Sequence, residues 1–188
     1  MRITCTWIAA LALLGVTACA PATTTTKSWP EFRVPGADFA VSLPGKPEIG
    51  RDTTAKDGSV SRSYNFDEGA IVYSVAYTAS TPKSKKLAPL DGWLDNIRDE
   101  LVAKMSGKLR DERRLAVGDS RGMELVLDVP KIGDKDAYTI RGRFYVKHAG
   151  TGKDLKDMLY QTIIVGDPGH DADASVAKFL DSFHFVQG

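Results

Sequence analysis

The chain has 188 residues, 25 Lys+Arg against 24 Asp+Glu, three histidines and two cysteines. A near-neutral balance argues against a nucleic-acid binder, which needs a clustered cationic face. Two cysteines leave no room for a disulfide framework or a Cys-based metal site.

The first twenty residues set an address. Arg2 supplies a positive start, residues 8–16 (IAALALLGV) an apolar run, and Thr17-Ala18 two small residues. The run is well short of the roughly 20 residues that span a bilayer, so it reads as a secretory signal. Val16-Thr17-Ala18-Cys19 resembles the bacterial lipobox, in which a peptidase cuts before a cysteine that already carries a diacylglyceryl thioether. That resemblance implies removal of residues 1–18 and a lipid on Cys19, with an ordinary cut near Ala20 as the alternative. Cleavage takes away one cation, Arg2, and no acid, leaving 170 residues with 24 charges of each sign. Cys5 departs with the signal, so Cys19 is then the only cysteine. Ala20, where an aspartate would retain the protein, resembles the sorting signal for the outer membrane. The outer leaflet of the inner membrane is the alternative.

Residues 19–35 read as the lipidated cysteine and a Thr-rich tether with little to bury, and residues 36–188 as one globular domain. Its first ordered side chain is expected near Trp29. Phe39, Val41 and Leu43 alternate with Ala40 and Ser42 before a Pro-Gly-Lys-Pro stop. Residues 60–66 and 70–77 alternate as well and are separated by Asp67-Glu68-Gly69, a hairpin turn. Then the period changes. Leu90, Trp93, Leu94, Ile97, Leu101 and Met105 lie on one helical face, with Gly107 placed to end the helix. Strands return at residues 108–117 and 123–129.

In residues 138–147, Tyr138, Ile140, Gly142, Phe144 and Val146 form an apolar row opposite Thr139, Arg141, Arg143, Tyr145 and Lys147. Residues 158–166 are apolar on both faces, which suits a central strand paired with the preceding one through a long loop. A last helix starts near Asp171 or Asp173 and buries Val176, Phe179, Leu180 and Phe183. The sum is α+β: a central antiparallel sheet of about six to eight strands flanked by two helices.

Phe39-Ala-Val-Ser-Leu-Pro-Gly-Lys-Pro47, Tyr73-Ser-Val-Ala-Tyr77, the mid-chain helix, Arg143-Phe-Tyr145, Leu159-Tyr160 and Phe179-Leu-Asp-Ser-Phe183 together resemble the PsbP/Mog1-like proteins. The resemblance implies an antiparallel sheet sandwiched by helices. That family includes photosystem assembly proteins and a Ran-binding protein. None of their ligand or partner motifs is visible in this chain, so no functional residue carries over.

Four features bear on chemistry. Gly118-Asp119-Ser120-Arg121-Gly122 matches the nucleophile elbow G-x-S-x-G, but a period-two run follows where that motif needs a helix, so strand–turn–strand is expected. Asp167, His170, Asp171 and Asp173 match no metal-ligand spacing and read as helix entry. Lys83, Lys85 and Lys86, and Arg110, Arg113 and Arg114, are basic clusters that suit lipid headgroups or, more simply, a solvated face. The row Arg141, Arg143, Tyr145 and Lys147 is the candidate interaction face, unless a helix covers it.

The expectation is a lipid-anchored envelope protein that faces the periplasm and acts by binding or assisting assembly, without catalysis, cofactor or metal. Its partners would be the membrane, through Cys19, and an envelope protein. A carrier with an apolar cavity beside Trp93 and an envelope hydrolase are the alternatives.

Overall fold

A computed structural model describes residues 28–186 except 57, 82–88 and 135. The signal at residues 1–18, Cys19 and the lysines Lys83, Lys85 and Lys86 lie outside the described residues.

The central element is a seven-stranded antiparallel sheet. Its strands are β3 (Glu48–Thr54), β4 (Val60–Asp67), β5 (Ile71–Ser80), β6 (Lys108–Val117), β7 (Ser120–Val129), β8 (Tyr138–Ala149) and β9 (Lys156–Gly166), in the spatial order β3-β4-β5-β9-β8-β7-β6. β9 is thus the fourth of seven, with β5 and β8 on either side, as its two apolar faces require. A second sheet of three short strands is formed by β1 (Glu31–Arg33), β2 (Phe39–Ser42) and β10 (His184–Phe185), with β2 in the middle. The alternating segment from Phe39 therefore belongs to this smaller sheet and not to the central one.

Each face of the large sheet has its own cover. On one face lies α1 (Leu90–Met105), whose Leu94 is fully buried against Met123, Leu125, Phe144 and Val146. The helix ends where Ser106, not Gly107, takes the left-handed conformation, at φ 51°. On the other face lie the small sheet and α2 (Ala174–Asp181). Their core is aromatic: Tyr73 meets Phe179 edge-on at 5.3 Å, Phe39 meets Tyr160 at 5.3 Å, and Phe183 stacks on Tyr145 at 4.3 Å. Rings of this kind contribute beyond the area they bury.

Folded structure reaches back to Trp29. Its ring meets Tyr73 at 5.8 Å, Lys178 sits over it at 4.7 Å, and the Leu43 amide donates to the Pro30 carbonyl. Nine residues separate Cys19 from that ring in the sequence.

Candidate functional site

A buried cluster of polar groups lies on the α2 face of β6, β7 and β8. Strand register creates the cluster: Glu124 pairs directly with Arg113 on one side and with Arg143 on the other, and Arg141 lies one pair diagonally away. Glu124 is 5% exposed and both of its oxygens are saturated. Oε1 accepts from Arg141 Nε and Nη2 at 3.0 and 2.7 Å. Oε2 accepts from Arg113 Nη2 at 2.7 Å and from Arg143 Nε at 2.5 Å. Burial by itself would raise the Glu124 carboxyl, but the three guanidiniums prevail and hold it at about 2. The same partners act on Arg143: burial disfavours its charge, and Glu124 and Asp181 more than restore it.

The cations also fasten the chain's last elements. Arg143 Nη1 donates to the Leu180 carbonyl at 2.8 Å and Nη2 to Asp181 at 2.6 Å, which ties down the C-terminal turn of α2. Arg141 Nη1 donates to the Asp171 carbonyl at 2.9 Å. Arg110 is the extra residue at a β-bulge between Leu109 and Asp111, and its guanidinium pairs with the Asp171 carboxylate. Between these side chains and the 3-10 turn His170–Ala172 runs an open groove of about 440 Å³, lined by Arg110, Asp111, Glu124, Val126, Arg141 and Asp171.

The candidate interaction face needs correction. Arg143 and Tyr145 are buried, with Tyr145 stacked under Phe183 and Arg143 under α2. Lys147 is spent within the chain, its Nζ 2.7 Å from Asp38 and 4.2 Å from the centre of the Phe185 ring. Tyr160 donates to the other Asp38 oxygen at 2.8 Å, which pins the β1–β2 loop onto β8 and β9. Of the four, Arg141 alone lines the groove. An apolar row on one face of β8 suggests that the opposite row meets solvent, but both faces are covered.

The remaining candidates fall as follows. Val117 pairs with Ser120 across a two-residue turn, Gly118-Asp119, with Gly118 at φ 60°. Ser120 thus opens a strand, is 0% exposed and has no hydrogen-bond partner for its hydroxyl. Gly122 is needed because the Tyr145 ring lies over it: a Cβ there would stand 2.6 Å from Tyr145 Cδ1. The G-x-S-x-G match is therefore a packing pattern.

Asp173 caps α2 by position but gives its carboxylate to His170 Nδ1 at 2.8 Å, and that contact raises the imidazole above its ordinary value. Asp171 faces Arg110, so the acidic run does not converge. Among the described residues no group of three or more His, Cys, Asp or Glu is placed to hold a metal ion. His148 meets Asp157 across the β8–β9 ladder, Nδ1 to Oδ1 2.7 Å, a pairing that the loop's length hides in the sequence. Arg114 is on the α1 face, paired with Asp95 and Glu112, so the Arg110–Arg114 cluster is divided between two faces. Beside Trp93, where the carrier alternative requires an apolar cavity, Leu94 is fully buried between helix and sheet.

A scan of the chain against protein-family models finds no match, and neither does a comparison with the curated proteins.

Proposed function

We propose that this is a bacterial envelope lipoprotein: a non-catalytic binding or assembly-accessory domain held at the periplasmic face of the outer membrane by a lipid on Cys19. The observation that carries the reading is the lipobox Val16-Thr17-Ala18-Cys19 at the end of an apolar run, nine residues ahead of a Trp29 packed into the core. Acyl chains contribute about 0.8 kcal/mol per buried CH₂, so several chains hold a protein on a bilayer for good.

Two findings favour binding over catalysis. The serine of the one nucleophile motif is fully buried, and the ionisable cluster at Glu124 is saturated by contacts within the chain. A catalytic acid or base needs a hydrogen-bonding position left for substrate. The seven-stranded antiparallel sheet with one helix on each face supports the PsbP/Mog1-like αβα sandwich as the finer description.

Intact-mass analysis of protein purified from native membranes tests the reading, with Cys19→Ala beside it. The expected mass is that of residues 19–188 plus acyl chains, and Cys19→Ala is expected to leave the membrane fraction. An unlipidated mature chain, or retention of the Cys19→Ala protein on the membrane, refutes the anchor.

A further inference from the structure

We propose that the end of the domain where the tether enters rests on the phospholipid headgroup layer, with Ile49 and Ile132 as its two apolar contact points. This inference rests on lipidation at Cys19. Strand register defines that end of the large sheet: Glu48 begins β3 beside Asn65, Asp67 pairs with Val72, Gly166 pairs with Ile71 and Thr139, and Val129 pairs with Tyr138. Trp29 enters at the same end, against Tyr73, two pairs in from Ile71.

Among the described residues, the large hydrophobic side chains that stand exposed are Ile49, at 71%, and Ile132, at 53%. Ile49 is the second residue of β3, and Ile132 follows the end of β7 by three residues, so both lie at the tether end of the sheet. They lie five strand spacings apart, about 24 Å, which makes two separate feet under one sheet. A lysine attends each of them, Lys46 in the hollow beside Ile49 and Lys131 next to Ile132, and a third, Lys178, covers Trp29. An exposed isoleucine beside a lysine stem suits the boundary between headgroups and acyl chains.

Tether length restricts the choice of end. Nine residues span at most about 30 Å and typically about 17 Å. The twelve residues of β8 are about 40 Å long, so the end of the sheet with Asp119 and Gly150 is the one farther from the point where the tether enters. Glu48, Asp67, Glu68, Asp128, Asp134 and Asp136 share the tether end with the lysines, so its net charge gives no pull towards anionic lipid. The contact is apolar, and a zwitterionic surface satisfies it.

The test uses the full lipidated protein on phosphatidylcholine vesicles, with Ile49→Cys, Ile132→Cys or Asp119→Cys labelled by an environment-sensitive fluorophore. Cys19 is blocked as a thioether and takes no label. Blue-shifted emission and quenching by lipid-borne nitroxide are expected at positions 49 and 132 and not at 119, with no change at raised salt. Water-like emission at 49 and 132 in protein that still sediments with the vesicles overturns the contact and leaves the anchor standing. Failure to sediment overturns both, and a signal at 119 equal to that at 49 overturns the orientation.

Discussion

Glu124 and Arg143 face one another directly across the β7–β8 ladder, carboxylate oxygen to guanidinium nitrogen 2.5 Å, and both side chains are buried beneath α2. The pair couples the sheet to the chain's last helix, because the same guanidinium holds the Leu180 carbonyl.

Glu124→Gln is expected to destabilise the protein by about 3 kcal/mol, since it leaves the buried Arg143 with only the solvent-exposed Asp181 as counter-charge. Arg113 makes its contact with Glu124 from a solvent-exposed position, and Arg113→Gln is expected to cost under about 1 kcal/mol. Urea unfolding of the two variants checks the contrast. Equal losses would mean that burial of Arg143 is not what makes the cluster matter.

Acid should expose the same dependence. The folded Glu124 carboxyl sits at about 2, below its ordinary 4.5, so its contribution is fully present above pH 4.5 and is lost as pH falls through 2. The shift corresponds to about 3 kcal/mol. Asp38, lowered by Lys147 and Tyr160 against the opposing effect of burial, acts in the same direction. Unfolding midpoints measured from pH 6 to pH 2 should fall steeply for the wild type and more gently for Glu124→Gln.

The G-x-S-x-G segment gives an inverted expectation for a supposed nucleophile. Ser120→Ala removes a buried hydroxyl that lacks a partner, so stability should stay level or rise by up to about 1 kcal/mol. Gly122→Ala drives a Cβ into the Tyr145 ring and should cost about 1–3 kcal/mol. A fluorophosphonate probe should label neither wild type nor Ser120→Ala. Labelling of wild type alone would restore Ser120 as a reactive group.

Leu94→Ala removes the side chain that fills the space between α1 and the sheet, with an expected loss of about 2–5 kcal/mol. Thermal unfolding measures the loss. Tight binding of an apolar dye by the unmodified protein, lost in Trp93→Ala, would revive the carrier alternative.

The sequence reveals those elements whose side chains carry a periodic demand. The helix from Leu90 to Met105 and the central placement of β9 follow from apolar spacing alone. β3, with the sequence EIGRDTT, is exposed at every position, so no alternation marks it and the ladder to β4 holds it. β1 and β10 are three and two residues long, too short for any periodic signal. The Glu124 cluster was invisible for another reason. A lone acid inside an apolar strand was the available clue, but Arg113, Glu124 and Arg143 meet only once the register of three strands is known. Period two sorts the side chains of β8 into faces and does not say which face is wet, hence the misreading of Arg143 and Tyr145.

The small sheet has a kinetic side. Its middle strand, β2, is completed on one edge by β1 and on the other by β10, from the opposite terminus of the domain. Pairing His184 with Ala40 closes a very long loop, and contacts of that kind form late. A chain delivered N-terminus first, from a ribosome or through a membrane pore, therefore holds Phe39 without its full cover until Phe183 and Phe185 arrive. Phe183 and Phe185 act as a closing latch, and the aromatic core is complete only once both rings are in place.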